Sequence, residues 1–175
     1  MKKFLFALLF SAIAIVFIVP LALPETYKVE RVLTINAPQE LVFDTIADFR
    51  TWPDWNPWYL MEPEAKVTES GSPGIVGSST QWAGDKIGSG SQTLIKVVHP
   101  EYLETFVDFK GPKASSATSY WTLKSVGDAT KVVWGLKGRC EYPFGRYKGL
   151  FMDSTVGDDY ATGLAGLKSF IEDKK

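Results

Sequence analysis

MDSTVGDDYATGLAGLKSFIE, residues 152–172, carries a helical period. Met152, Val156, Tyr160, Gly163/Leu164, Leu167 and Phe170/Ile171 recur at spacings of three and four, and Asp158, Asp159, Lys168 and Glu172 sit opposite. That is an amphipathic helix whose apolar stripe needs a surface to cover. Asp153 and Ser154 are candidate caps, and Lys174 and Lys175 suit the negative end of its dipole. Gly163 and Gly166 are costly inside it, roughly 1 kcal/mol each relative to Ala. Either the helix packs closely on its neighbour at Gly163, or the missing side chain leaves room for a ligand.

The preceding stretch supplies the surface. Residues 64–69, 76–83, 91–98, 102–109, 116–126 and 130–138 read as short strands, parted by turn signals such as Ser70-Gly71-Ser72-Pro73-Gly74, His99-Pro100, Gly111-Pro112 and Gly127-Asp128. Residues 27–35 alternate with period two and form another strand. After Asn36-Ala37-Pro38 a helix runs to about residue 49, followed by the aromatic knot Trp52-Pro53-Asp54-Trp55-Asn56-Pro57-Trp58-Tyr59. Short linked strands imply a meandering antiparallel sheet, and the long helix is its cover. The fold class is α+β.

Residues 4–23, FLFALLFSAIAIVFIVPLAL, contain no charge and follow Lys2 and Lys3. As one helix they would rise about 30 Å, a bilayer core. The division is therefore a membrane anchor over 1–24 and one domain over 25–175. The basic pair predicts a single pass through the cytoplasmic membrane, N-terminus inside and domain outside. The alternative is a cleaved signal peptide and a secreted or periplasmic domain.

Composition excludes much. The anchor holds two of the 19 basic residues, so 17 basic and 20 acidic side chains remain in residues 25–175. That weak acidity speaks against a nucleic-acid partner. One cysteine, Cys140, and one histidine, His99, exclude an internal disulfide and sites needing several imidazoles or thiolates. No metal or other cofactor is expected. Gly84-Asp85-Lys86-Ile87-Gly88-Ser89-Gly90-Ser91 resembles a phosphate loop, but a strand follows it instead of a helix, so it reads as a flexible hairpin loop.

Several segments together resemble the SRPBCC superfamily of START, Bet v 1-like and polyketide cyclase/dehydrase-type proteins. They are Ile35-Asn36-Ala37-Pro38 with Val42-Phe43, Asp48 to Trp58, Trp82 with Gly88 and Gly90, Thr130 to Trp134, and Gly163-Leu164 with Leu167-Lys168. The nearest likeness is the polyketide-cyclase-like branch, often found behind an N-terminal membrane helix. The resemblance covers about residues 27–172. It implies a helix-grip fold, a curved sheet wrapped around the C-terminal helix with an apolar cavity between. Relatives bind lipids, sterols, hormones or polyketides, and a few act on them as enzymes.

The candidate cavity lining is Trp58, Trp82, Phe106, Phe109, Trp121, Trp134, Tyr160, Gly163 and Leu164. Large rings suit an apolar pocket with few polar contacts, although each is equally at home in an ordinary core. Trp52 and Trp55 read as core. Catalytic material is sparse: His99 lies in a turn, and Tyr160, Tyr120 and Asp108 show no pairing. Arg139 to Lys148 reads as a loop, a gate over the pocket, or a headgroup contact through Arg146 and Lys148. The expected partner is a hydrophobic small molecule or lipid, with the membrane met through residues 4–23. A cyclase- or hydratase-like enzyme and a cochaperone-like interaction module are the rivals.

Overall fold

The computed structural model describes residues 2–111 and 114–173, with the backbone alone at residues 2, 3, 5, 7–9 and 12. Lys174 and Lys175, expected at the helix dipole, lie outside the described residues. The element order is α1 (Lys2–Ile18), a 3-10 turn (Val19–Ala22), β1 (Thr26–Ile35), α2 (Gln39–Ala47), a 3-10 turn (Phe49–Asp54) and α3 (Pro57–Met61). Then come β2 (Lys66–Ser70), β3 (Ser79–Ala83), β4 (Ser89–Val98), β5 (Tyr102–Phe109), β6 (Ser115–Val126), β7 (Ala129–Arg139), α4 (Phe144–Gly149) and α5 (Met152–Glu172).

The seven strands form one antiparallel sheet in the order β1-β7-β6-β5-β4-β3-β2. Every neighbour after the β1–β7 pair is joined by a sequential connection, as the turn signals predict. Gly127-Asp128 closes β6 to β7 as a two-residue loop, and Gly127 takes the positive φ of 61° that such a turn needs. α5 packs along β1 and buries Tyr160, Gly163, Leu164, Leu167 and Ile171. This is the helix-grip arrangement.

Alternation sorts the strand aromatics. On β6 the odd residues Ala117, Ser119, Trp121 and Leu123 face inward, and on β7 the even residues Val132, Trp134 and Leu136 do. On β5, Leu103, Thr105 and Val107 are the buried set, so Phe106 falls on the outer face and is 43% exposed. The expectation that Phe106 lines a cavity is corrected by that parity.

Three local expectations change. Asp153 and Ser154 do not cap α5 through their side chains. Asp153 instead takes a two-pronged ion pair from Arg31, whose guanidinium lies across Gly157. β3 starts at Ser79 rather than near 76, because Gly77 holds a φ of 96° and Ile75 and Val76 stay exposed. α2 stops at Ala47, where Asp48 turns the chain and accepts from the Arg50 N–H.

The continuous apolar helix over residues 4–23 is also corrected. α1 ends at Ile18, just before Pro20, whose ring and missing N–H oppose a longer helix. At 17 residues it rises about 26 Å. Among the described residues no helix is long and apolar enough to cross a membrane. Phe4, Phe6 and Phe10 are nonetheless about 75% exposed. The segment is fastened to the domain. The Tyr142 hydroxyl donates to the Phe17 carbonyl, the Tyr147 hydroxyl to that of Ile15, and Arg146 donates to those of Pro20 and Leu23.

Candidate functional site

A cavity of about 280 Å³ opens between the inner sheet face, α3 and the first half of α5. The volume sits at the small end of the range of known ligand pockets, ~300–1,000 Å³. Its wall is mainly aromatic and aliphatic. Trp58 from α3, Trp82 from β3, Phe109 from β5, Trp134 from β7 and Tyr160 from α5 all reach it.

Four expected lining residues do not reach it. Phe106 points away. Trp121 is fully buried behind Trp134, on which it stacks at 4.2 Å between centroids. Leu164 is core, and Gly163 is covered by the Trp134 ring. Trp134 in turn stacks on Tyr160 at 4.0 Å, with Trp52, Trp55 and Trp58 edge-on to it. Trp52 and Trp55 are both core, and Trp52 also touches the cavity. Sequence reading missed Asn56, Gln92 and Ser119, three buried polar residues on the wall. Asn56 was legible only as the middle of the Trp/Pro knot, where the Asn56-Pro57 step matches a helix N-cap followed by Pro.

The polar groups form three small sets. Trp134 Nε1 donates to Ser119 Oγ at 3.0 Å, and the Tyr160 hydroxyl donates to the same oxygen at 3.5 Å. Gln92 donates to Thr105 Oγ1, and the Tyr59 hydroxyl meets Thr80 Oγ1. Burial pushes the Tyr160, Tyr59 and Tyr27 phenols up. At neutral pH they are uncharged and serve as hydrogen-bonding groups, not bases.

Among the described residues, Tyr160 and Tyr59 meet hydroxyl oxygens and not a carboxylate or an imidazole. Tyr120 donates to Glu30 and Asp108 meets Lys110, both away from the cavity. His99 lies in its turn beside Asp44 and the Phe43 ring. Cys140 is buried, and burial pushes its thiol up. Among the described residues no group of three or more His, Cys, Asp or Glu could hold a metal ion. Arg146 is spent on the carbonyls of Pro20 and Leu23 and on Glu25, so it is not the headgroup contact suggested by its neighbourhood.

The glycine-rich loop beside the cavity already has its anion. The N–H groups of Asp85, Lys86 and Ile87 donate to the Glu62 carboxylate at 2.7–3.0 Å. A concave run of N–H groups is a natural anion seat, and Glu62 fills it from 23 residues upstream in the case of Asp85. The loop is thus a hairpin connection, but a pinned one. Ile87, held this way, contributes to the cavity wall.

The Ile87 hydrogen bond, with those of its neighbours, lowers the Glu62 pKa from its ordinary value. A carboxylate lowered on folding stabilises the folded chain above its unfolded pKa, about 4.3. That contribution is lost as pH falls through the lowered folded value. The protection factors of the amides of residues 85–87, with the intrinsic pH dependence of exchange divided out, are therefore expected to hold from neutral pH to about 4.5 and to fall on further acidification. Glu62→Gln is expected to raise exchange there at pH 7 and to remove the acid step. An acid step that survives in the variant would disprove the assignment.

A model of the family described as polyketide cyclase / dehydrase and lipid transport matches residues 26–172. No curated protein matches the chain in sequence. Among solved structures it is similar to the Aha1 dimer of Colwellia psychrerythraea, at 18% identity and a TM-score of 0.61 over 83% of this chain and 96% of that one. A protein of Nitrosospira multiformis is similar at 21% identity and a TM-score of 0.59, over 85% and 99%. DynU16, from the dynemicin biosynthetic locus, is similar at 16% identity and a TM-score of 0.59 over 85% of this chain. This chain spans about half of DynU16, 48% of its length. At such identities these likenesses show the fold alone. With a matched model across residues 26–172, the chain belongs to the polyketide cyclase / dehydrase and lipid transport family.

Proposed function

We propose that the protein binds a hydrophobic small molecule or lipid in the cavity between sheet and α5, outside the cytoplasm, at a membrane met through residues 4–23. The observation that carries the reading is the cavity wall. It joins aromatic surface from α3, β3, β5, β7 and α5 to a few buried hydrogen-bonding groups, with Asp159 as its one carboxylate. That is the composition of a binding pocket. A cyclase would need an acid–base pair inside the cavity; the Tyr160 hydroxyl is hydrogen-bonded to Ser119 rather than to a carboxylate, and Asp108 and Tyr120 lie elsewhere.

Membrane placement is supported by the exposed apolar α1 and by what lies next to its end. Phe144, Leu150 and Phe151 are each more than half exposed, close in sequence to the tyrosines and arginine that grip residues 15–23. Exposed apolar side chains near the attachment of an apolar helix suit the boundary of a bilayer.

Two measurements test this. Organic extraction of the full chain purified from its membrane fraction, followed by mass spectrometry, is expected to release an apolar molecule in near-stoichiometric amount. A C-terminal alkaline phosphatase fusion is expected to be active, as only an exported domain would make it. Neither an extractable molecule nor a response of tryptophan emission to added apolar probes would defeat the binding reading. An inactive but expressed fusion would defeat the placement.

A further inference from the structure

The cavity wall holds one polar side chain whose account does not close. Asn56 is 1% exposed, and its Oδ1 accepts from the Trp58 N–H at the start of α3. Only an oxygen can accept there, so the cap fixes which end of the carboxamide is which. Its Nδ2, with two N–H donors, has no hydrogen-bond partner. A buried unpaired donor is costly.

Ser119, equally buried, has partners but one hydrogen-bonding position left. Its oxygen already accepts from Trp134 Nε1 and the Tyr160 hydroxyl. A serine hydroxyl has two acceptor positions and one proton, so what Ser119 still has to offer is that proton. Asn56 and Ser119 both face the cavity. Trp58, two residues after Asn56, lies edge-on to the Tyr160 ring, whose hydroxyl rests on Ser119.

Charge and size narrow the ligand. The wall contains no Lys, Arg or His, and its one carboxylate is Asp159. An anion would therefore enter without a counter-charge, at a large desolvation cost. At about 30 Å³ per water-sized group, 280 Å³ holds roughly nine heavy atoms.

We propose that the cavity selects an uncharged apolar molecule of about this size, or the end of a longer one, carrying a carbonyl oxygen that accepts from Asn56 Nδ2 and the Ser119 hydroxyl. This rests on the binding reading above and makes it specific: a ketone or ester rather than a fatty-acid anion, an amine or a plain hydrocarbon.

The test uses the full chain in dodecyl maltoside at pH 8, with four nine-carbon probes: 2-nonanone, nonane, nonanoate and nonylammonium. Five of the six tryptophans form the cluster around the cavity, so their emission reports occupancy. Micelle partitioning is common to wild type and variants and cancels in their ratio. Referred to each probe's own partition into the micelle, 2-nonanone is expected to bind about tenfold or more tightly than nonane or nonanoate, the worth of one well-made buried hydrogen bond.

Asn56→Asp keeps an N-cap oxygen and replaces the free donors by an acceptor. It is expected to lose that tenfold preference and to gain nonylammonium binding. Ser119→Ala, checked by thermal melting like the first variant, is expected to lose part of it. Nonane binding as tightly as 2-nonanone, or a ketone preference intact in both folded variants, overturns the proposal while leaving an apolar binding site standing. Silence from all four probes overturns both.

Discussion

Trp134→Ala is expected to cost roughly 3–5 kcal/mol of unfolding free energy, the range for removing a fully buried large aromatic. Trp134 is 1% exposed and sits between the Trp121 and Tyr160 rings, with Trp52, Trp55 and Trp58 at its edges. Its removal takes the middle layer out of a three-ring stack and deprives Ser119 Oγ of its Nε1 donor. α5 leans on the same ring through Gly163, so the gap cannot close without moving the helix. Urea denaturation followed by circular dichroism measures the effect. Phe106→Ala is the control, on the outer face of β5. Its cost is expected to be about 0.5–1 kcal/mol. Equal losses in the two variants would mean that Trp134 does not centre the core.

The contrast between these residues shows what the sequence can and cannot carry. Element type and order are local properties. The period-two strands, the Gly127-Asp128 turn and the three-four stripe of α5 all follow from nearest neighbours in the chain, and the structure has them within a few residues. Strand parity is harder. β5 buries Thr105 between Leu103 and Val107, and exposes Phe106. A buried threonine and an exposed phenylalanine make either face of that strand plausible until its partners are known. Trp121 and Trp134 both face inward, but which one meets the cavity depends on stacking order, with Trp121 behind.

The site polar groups are less legible still, because their meaning is relational. Glu62 matters through the N–H groups of residues 85–87, and Asn56 through what its amide lacks. Arg146 looks like a surface cation in sequence and becomes a backbone clamp only when residues 20 and 23 lie beside it. The end of α1 has a visible signal in Pro20, set within the uniform hydropathy of residues 4–23.

The two glycines of α5 give the second large effect, and there the sign of the result is the argument. In an unencumbered helix Gly→Ala stabilises by about 1 kcal/mol. If Gly163 existed to leave room for a ligand, Gly163→Ala would show that gain. A Cβ at Gly163 would lie 2.5 Å from the Trp134 ring and 3.1 Å from Pro57 Cδ. The Trp134 ring is held by stacks on both faces and cannot swing aside. Gly163→Ala is therefore expected to destabilise despite its propensity gain, and Gly163→Leu to cost about 3 kcal/mol or more, at the upper end for overpacking. At Gly166 the obstacle is the Trp55 carbonyl oxygen, 2.4 Å from the added Cβ. Backbone yields less readily than a side chain, so Gly166→Ala should also destabilise. Both sites reach the cavity. Displacing Trp134 moves a wall, and displacing the Trp55 carbonyl moves the peptide that carries Asn56, a lining residue. Gly163→Ala and Gly166→Ala are each expected to lower both the melting temperature and probe affinity. Stabilisation by either alanine would show that α5 rides clear of its neighbours, and the close helix–ring contact that shapes the cavity would have to be abandoned.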